Sequence, residues 1–414
     1  MNNKIEIMSP AGSFAAMQAA IDAGANSVYF GVEQLNMRAC SADNFKIADL
    51  SKIVELCNKN NVKTYLAVNI VLYDHDIVMM KVLCDEAKKT GVTAIIASDI
   101  AALRYAKSIG LEIHISTQQN VSNIEAVKFF ADFADVVVLA RELTLDQIRN
   151  IINQIKKENI TGPGGKLVRI EIFAHGALCV SISGKCYMSL ATQNSSANRG
   201  ACRQNCRRTY RVIDEENGDE LVLENKYIMS PKDLCTIGFI DQLLGAGVGV
   251  LKLEGRGRSP DYVYVVTKCY REAADAVEDG TYTKEKIDNW IKELEKVYNR
   301  GFWHGGYYLG KKLGEWSGKY GSQATEQKER IGIITNYFKK TSIAELALKS
   351  GKIKIGDEII ITGHTTGVVR MTIENFFLNE APAETAKKDD LISFPFSTPV
   401  RKNDSVFLVK KRDV

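Results

Sequence analysis

The first three hundred residues repeat one unit, in which a short apolar run rich in β-branched side chains precedes a turn and an amphipathic stretch. Near-continuous apolar runs predict strands buried on both faces, and apolar positions at helical spacing predict helices. The predicted strands are Ile5–Met8, Ser27–Phe30, Thr64–Val68, Ala94–Ala97, Glu112–Ile115, Val136–Leu139, Ile170–Phe173 and Val250–Leu253. The predicted helices include Phe14–Ala23, Leu50–Asn58, Ile77–Lys89, Ile124–Phe133 and Leu145–Lys157.

Eight strands that alternate with helices predict a (β/α)8 TIM-type barrel, with a doubly wound open sheet as the alternative. A large insertion, residues 177–230, separates the seventh strand from the eighth, and a hairpin is predicted in it from Tyr210–Ile213 and Glu220–Leu223. Interruptions of this length in a compact domain are usually functional. The barrel domain is predicted to span residues 1–320.

The pattern changes after about residue 320, where short alternating runs are separated by turns that contain Gly, Asp and Asn. This pattern predicts a small C-terminal all-β barrel domain over residues 325–414. Its predicted strands are Arg330–Thr335, Ser342–Leu348, Glu358–Thr362, Gly367–Ile373 and Ser405–Val409.

Polar side chains collect directly after the predicted strands of the barrel. The chemistry of such barrels takes place at the carboxyl ends of the strands, which makes these positions candidates for a site. Some are expected to be helix caps instead, among them Asp99 and Thr144. We predict that the catalytic set consists of Asn69, Gln118, His175, Glu254 and Arg256.

Composition narrows the class of protein. The 414 residues carry 54 Lys and Arg against 50 Asp and Glu, so the net charge of +4 neither requires nor excludes a nucleic-acid partner. Uninterrupted apolar runs of about 18 residues do not occur, so we expect no membrane span. Because the first residues do not resemble a signal peptide, we expect a cytoplasmic protein, in which nine cysteines are unusual.

Four of the nine cysteines lie within 28 residues of the insertion, with 6, 15 and 3 residues between successive members. Four thiolates on irregular backbone can converge on one metal or cluster, and the uneven spacing favours an iron–sulfur cluster over zinc. Zinc and disulfides are the alternatives. The predicted metal ligands are Cys179, Cys186, Cys202 and Cys206.

The remaining cysteines divide into two groups. Cys57, Cys84 and Cys269 lie on apolar helix faces and are expected to be core residues. Cys40 and Cys235 lie near strand ends, and either one can replace one of the four ligands. Cys235 is also readable as a buried residue in the first turn of a helix capped by Ser230 or Asp233.

The seventh predicted strand and the start of the insertion read Glu171-Ile172-Phe173-Ala174-His175-Gly176-Ala177-Leu178-Cys179, continued by Gly184-Lys185-Cys186. This stretch resembles the diagnostic pattern of the collagenase-like peptidase family U32. The resemblance covers most of the chain and includes a C-terminal β-barrel domain. Further matching motifs are Ser9-Pro10-Ala11-Gly12, Val28-Tyr29-Phe30-Gly31, Ser116-Thr117-Gln118 and Lys252-Leu253-Glu254-Gly255-Arg256.

Within the family, the length and domain plan are most similar to the prephenate-dependent tRNA uridine hydroxylases, which make 5-hydroxyuridine at the wobble position. The resemblance implies a [4Fe-4S] cluster on the four cysteines, with prephenate as co-substrate and tRNA as partner. A dicarboxylate such as prephenate is expected to be clamped by Arg38, Arg141, Arg256 and Arg258. A basic run near the same mouth is expected to contact phosphates: Arg199, Arg203, Arg207, Arg208 and Arg211.

Two other functions remain open. The family name implies a peptidase, for which His175 is the only histidine among the strand ends and Cys179 the nearest nucleophile. A non-catalytic subunit that works beside a paralogue is the other possibility. The C-terminal domain is expected to bind RNA or, alternatively, to serve packing or dimerisation.

Overall fold

The computed structural model describes residues 5–218, 220–221, 229–311 and 315–412. Eight parallel strands close into a barrel, since the last of them pairs with both the first and the seventh. The barrel strands are β1 (Glu6–Pro10), β2 (Ser27–Gly31), β3 (Lys63–Val68), β4 (Ala94–Ala97), β5 (Glu112–Ile115), β6 (Val136–Val138), β7 (Arg169–Gly176) and β11 (Val250–Leu253). The predicted barrel is confirmed, and the open doubly wound alternative is wrong.

Helices cover the outside of the barrel, and the largest apolar cluster lies between the two layers. Two of their starts follow the predicted caps, since the Asp99 side chain accepts the amide of Ala101 and Thr144 forms a capping box with Gln147. The helices are α1 (Phe14–Asp22), α2 (Leu50–Lys59), α3 (Ile77–Thr90), α4 (Ile100–Ser108), α5 (Ile124–Ala131), α6 (Leu145–Lys157), α7 (Met188–Gln193), α8 (Ile240–Gly245), α9 (Pro260–Glu278) and α10 (Lys284–Lys296).

Two short strands extend the sheet beyond the closed barrel. Strand β10 (Asp233–Cys235) pairs antiparallel with the end of β7, and β12 (Phe302–His304) pairs with β10. This pairing explains why β7 runs three residues past its predicted end. The helix cap expected at Asp233 is wrong, because this side chain is buried in β10 and pairs with Arg300 at 3.2 Å.

The insertion contains a short helix, α7, and the predicted hairpin. Strands β8 (Val212–Ile213) and β9 (Glu220–Leu221) form an antiparallel pair. Leu223, at the predicted end of the second strand, lies outside the described residues.

The C-terminal region is antiparallel and all β, as predicted. Its strands are β13 (Glu326–Phe338), β14 (Ile343–Leu348), β15 (Lys352–Lys354), β16 (Glu358–Gly363), β17 (Gly367–Thr372), β18 (Phe376–Leu378), β19 (Ala381–Ala383), β20 (Thr385–Lys387), β21 (Leu391–Pro395) and β22 (Ser405–Lys411). Eight of these strands form one sheet in the order β17-β16-β22-β13-β14-β21-β18-β19, and β15 pairs with β20. The domain limits of 1–320 and 325–414 stay a prediction. In the part of the chain that the structure describes, we find no helix with the length and apolarity that crossing a bilayer requires.

The amino-terminal end of the barrel is closed by charged side chains around Glu6. Its carboxylate accepts hydrogen bonds from the Tyr65 hydroxyl at 2.6 Å and from Arg169 at 2.7 Å, and Lys63 lies at 3.4 Å. Burial alone would raise the pKa of Glu6, but the charges of Arg169 and Lys63 and the Tyr65 hydroxyl lower it to about 2.

Replacing Glu6 with glutamine is therefore expected to destabilise the protein at neutral pH by about 3 kcal/mol. A lowered pKa adds stability above the unfolded value, and this contribution is lost as the pH falls through about 2. The gap between wild type and E6Q in urea unfolding should be largest above pH 5 and shrink towards pH 2. A gap independent of pH would contradict the role of the charge.

Candidate functional site

A cavity of about 250 Å³ lies at the carboxyl ends of the barrel strands, and the inserted segment covers it. Its floor comes from barrel strands and its cover from the insertion, so residues distant in sequence face one space. All four predicted cysteine ligands line the cavity, and so do seven of the eight other predicted site residues. These seven are Arg38, Asn69, Gln118, Arg141, Glu254, Arg256 and Arg258.

The four inserted cysteines have free, half-buried thiols. The disulfide alternative is therefore not realised in this structure. Burial raises the pKa of the Cys206 thiol, the charge of Arg207 opposes this, and the other three cysteines raise it further. Cys206 thus lies within electrostatic reach of the other three cysteines, and all four line one cavity.

This donor set can be compared with what a metal or a cluster needs. Within the described ranges, no three His, Cys, Asp or Glu side chains are close enough together to hold a single ion. Thiols distributed around a cavity suit a multinuclear cluster, which keeps its ligands farther apart than one zinc ion does. Arg207 lies beside Cys206 and Arg38 near Cys202, where positive charge offsets that of bound thiolates. The residues present therefore fit an iron–sulfur cluster.

Two glycines allow the insertion to pack against the barrel. A Cβ on Gly184, which has φ +74°, would lie 2.0 Å from Oε1 of Gln118. A Cβ on Gly200, at φ +81°, would lie 2.3 Å from the carbonyl oxygen of Asn36. Only glycine fits at such close approaches in the left-handed region. These two contacts hold the cysteine-bearing loop above the mouth of the barrel.

Three arginines present charge to the cavity without a carboxylate partner. In the described part of the chain, Arg141, Arg256 and Arg258 form no ion pair within 4.0 Å. Arg256 is 5% exposed and donates to Asn36, and its buried Nη1 has no hydrogen-bond partner among the residues that the structure describes. Burial lowers the pKa of Arg256 to about 10, so it stays positive at neutral pH. A buried unpaired cation of this kind favours an anionic ligand.

The other two guanidinium groups are held in fixed orientations. Arg141 donates to the Ser183 hydroxyl at 2.7 Å and stacks on the Phe173 ring at 5.3 Å. Arg258 stacks on the Tyr298 ring at 3.6 Å. Rigid guanidinium planes suit two-point contacts with carboxylates.

The Glu254 carboxylate already has hydrogen-bond partners. It accepts a hydrogen bond from the Arg38 guanidinium at 2.6 Å and one from the amide of Ala177 at 3.3 Å. Burial would raise the pKa of Glu254, but Arg38 and Arg258 lower it to about 2. It is therefore ionised at neutral pH and cannot serve as an acid there. It fixes Arg38 and the start of the insertion.

Asn69 and Gln118 place amide groups at the ends of β3 and β5. The Asn69 oxygen accepts the amide of Met37 at 3.1 Å, and its nitrogen donates to Ser116 at 3.3 Å. Gln118 follows the same Ser116 and reaches beneath Gly184. Both side chains thus lie where a ligand in the cavity can be hydrogen-bonded.

His175 lies behind the cavity wall. Its ring is 2% exposed and packs against Tyr262, Tyr270 and Phe302 with centroid distances of 5.4 to 6.2 Å. Burial lowers its pKa to about 3, so the ring is neutral at physiological pH. The catalytic role assigned to His175 stays a prediction.

The two ambiguous cysteines lie in different surroundings. Cys40 is exposed, and its amide donates to the carbonyl of Gly200 in the insertion at 3.2 Å. Cys235 is buried in β10, where desolvation raises its thiol pKa to about 12. It lies in a strand rather than in a first helical turn, so that expectation is wrong. The replacement of one of the four ligands by Cys40 stays a prediction.

The five arginines of the basic run in the insertion fall into two groups: some hold the insertion in place, and the others are exposed to solvent. Arg207 donates to the carbonyls of Leu178 and Pro231, and Arg199 pairs with Asp76 and stacks on Tyr73 at 3.9 Å. These two fasten the insertion. Arg203, Arg208 and Arg211 are exposed, so they are the members available to phosphates.

Two cationic side chains that line the cavity, Lys252 and Arg300, were not among the predicted site residues. Lys252 carried a signal, because it interrupts the apolar run Val250–Leu253 of a barrel strand. The side chain that points into the barrel at this position is charged, which requires a partner or a function.

A sequence model of peptidase family U32 matches residues 12–318. A protein named collagenase from Porphyromonas gingivalis (strain ATCC BAA-308 / W83) is 54% identical over 411 residues, which is 99% of both chains.

Two further relatives carry names from RNA modification. The tRNA hydroxylation protein P1 of Bacillus subtilis (strain 168) is 31% identical over 397 residues, 91% of this chain and 88% of that one. A 23S rRNA 5-hydroxycytidine synthase of Escherichia coli (strain K12) is 33% identical over 307 residues, 72% of this chain and 45% of that one.

Proposed function

The chain belongs to peptidase family U32, and on that premise we propose that it is a tRNA hydroxylase that forms 5-hydroxyuridine at the wobble position with prephenate as co-substrate. The observation that carries the proposal is the cavity shared by four free cysteines and by three arginines that pair with no carboxylate among the described residues. The relatives named for tRNA and rRNA hydroxylation support the same reaction class.

In this proposal the cluster is held by Cys179, Cys186, Cys202 and Cys206. When bound, it supplies an iron centre for redox or Lewis-acid chemistry next to the substrate. The chain itself contributes the positive charge of Arg207 and Arg38 beside the thiolates. The covering insertion keeps bulk water away from the reacting groups.

The co-substrate has two carboxylates, which need at least two cationic partners. Arg256 supplies a buried guanidinium with a free donor, and Arg141 and Arg258 supply two more, each fixed by an aromatic ring. Because these guanidinium groups are already fixed in orientation, less entropy is lost when the anion binds between them. Glu254, already paired with Arg38, repels a misplaced carboxylate.

The base of the wobble uridine is accepted by polar groups at the strand ends. A uracil edge presents two carbonyl acceptors and one N–H donor, and the amides of Asn69 and Gln118 match this pattern. The wobble nucleotide already lies in a single-stranded loop, so presenting its base costs little unstacking. Arg203 and Arg208 are exposed and flank the cavity-lining segment 204–207, so in this proposal they contact phosphates.

We expect this chain to restore 5-hydroxyuridine-derived nucleosides in tRNA of a strain that lacks its own wobble-uridine hydroxylases. Mass spectrometry of nucleosides from digested tRNA gives the readout. A C206S variant expressed at the same level serves as the matched control and should not restore them. Restoration only when a paralogue is co-expressed would assign the chain to a subunit role, and no restoration in either case contradicts the proposal.

A peptidase is the second candidate, because the relative that is 54% identical is named collagenase. A hydrolytic site needs a nucleophile beside a base, and His175 lies behind the wall among aromatic rings. The same purified protein should leave gelatin intact over the period in which it modifies tRNA. Gelatin cleavage that H175Q abolishes would favour the peptidase.

A further inference from the structure

Inside the barrel, four titratable side chains form a chain from the cavity to the opposite end. Nζ of Lys252, on the cavity floor, donates to Oε1 of Glu171 at 2.7 Å. Oε2 of Glu171 lies 3.5 Å from Nδ1 of His114, and Nε2 of His114 lies 3.5 Å from Oε1 of Glu112. The Glu112 side chain is 42% exposed, so the chain ends in solvent.

The middle of this chain is buried and incompletely hydrogen-bonded. The side chains of Glu171 and His114 are fully buried. Both ring nitrogens of His114 and Oε2 of Glu171 have no hydrogen-bond partner among the described residues. Buried polar atoms are nearly always paired, so three unpaired atoms at this one place call for an explanation. Nδ1 of His114 and Oε2 of Glu171 face each other, and Nε2 of His114 faces Glu112. A small rotation of either carboxylate closes each 3.5 Å separation into a hydrogen bond.

Aromatic rings isolate the chain from its surroundings. The Tyr65 ring lies 4.3 Å from the His114 ring, and Lys252 lies 4.8 Å from the Tyr29 ring and 5.6 Å from the Phe173 ring. The rings leave Glu171 as the charged partner shared by the lysine and the histidine. The four polar side chains therefore connect the cavity at one end with the solvent at the other.

We propose that Lys252, Glu171, His114 and Glu112 conduct protons between the cavity and the solvent at the amino-terminal end of the barrel. The Lys252 ammonium donates a proton to a basic atom formed in the cavity. Protonated His114 passes one proton to the ionised Glu171, the carboxylic acid so formed passes that proton to the Lys252 amine, and the neutral His114 regains a proton from solvent through Glu112. The net change is one proton moved from solvent to the cavity, without electron transfer.

The charges around His114 support this role. Burial alone would lower the pKa of His114, but Glu112 and Glu171 raise it above the usual value. The other groups near this chain are the Tyr65 hydroxyl on β3 and the ions Glu6, Lys63 and Arg169, which pair with one another at the amino-terminal end. A protonated His114 between two carboxylates can pass its proton to either side.

One test measures activity and therefore rests on the proposed function. In weakly buffered solution, H114Q and E112Q should lower kcat for tRNA hydroxylation by about tenfold to a hundredfold with KM unchanged. Added imidazole should restore the rate, because a small diffusible acid replaces the lost relay through the cavity mouth. Glu125→Gln removes a carboxylate from an exposed position on α5, with a side chain 76% exposed, and should leave kcat unchanged. Variants that are slow at every imidazole concentration would overturn the relay.

A second test needs no activity, so it separates failure of the relay from failure of the proposed function. The protein has five histidines, and nitrogen NMR of labelled rings identifies His114 by comparison with H114Q. Removing the cation in Lys252→Met should raise the His114 midpoint by about half a pH unit or more, transmitted through Glu171. E112Q, altered at an exposed position, should lower it. A His114 midpoint unchanged in both folded variants would overturn the proposal.

Discussion

Protein purified without oxygen is expected to contain about four irons and four sulfides per chain, and the C206S variant less than about one of each. Serine keeps the size of the side chain but lacks the soft thiolate that iron prefers. Cys206 lines the same cavity as the other three cysteines and is coupled electrostatically to them, so its loss opens one corner of the cluster. Iron and sulfide analysis with absorbance near 400 nm measures the result.

Two matched variants decide whether the four cysteines are the complete set. Cys40→Ala changes an exposed thiol whose backbone amide donates to the insertion, and Cys235→Ala changes a buried thiol in β10. Both should keep full iron content and absorbance. Loss of iron in Cys40→Ala would transfer one ligand to that residue. Stoichiometric zinc without iron in the wild-type protein would contradict the cluster.

Prephenate binding is expected to weaken at least about thirtyfold when Arg256 is replaced by glutamine, which corresponds to about 2 kcal/mol. The reason is that Arg256 is buried and has a guanidinium nitrogen free of partners, so an anion there gains a charge-assisted hydrogen bond in a desolvated place. Calorimetry on folded protein without tRNA measures the affinity directly and does not depend on turnover.

The control for this change is R208Q, which removes one positive charge from an exposed position on the insertion. Because long-range charge is screened by salt, R208Q should alter prephenate affinity by less than about threefold. Equal weakening in both variants would mean that net charge, rather than the buried guanidinium, attracts the anion. Unchanged affinity in R256Q would remove Arg256 from the co-substrate site.

Much of the barrel could be predicted because its strands are buried on both faces. Ala94–Ala97 and Val250–Leu253 were predicted with their observed limits, since each is a continuous apolar run between polar turns. Strand β10 could not be predicted, because Asp233 is stabilised there by Arg300, whose position along the chain is 67 residues later. Local sequence does not contain that pairing.

In the candidate site, too, some residues could be predicted from the sequence and others could not. Residues directly after strands, such as Asn69 and Gln118, could be placed at the mouth because strand ends converge in a barrel. The four cysteines were found through their spacing. His175 also lies at the end of a predicted strand. However, β7 continues and pairs with β10 at this residue, and the His175 ring packs among aromatic rings instead of facing the cavity. The Glu171–Lys252 contact joins residues 81 apart, so the interior relay was visible only as isolated charges in apolar strands.

The most direct test of the proposed function combines the purified, cluster-containing protein with prephenate and tRNA that lacks wobble hydroxylation. Mass spectrometry of the digested tRNA should show 5-hydroxyuridine at position 34 that increases with time and requires both prephenate and the four cysteines. Unmodified tRNA from protein with a full cluster and measurable prephenate binding would contradict the account.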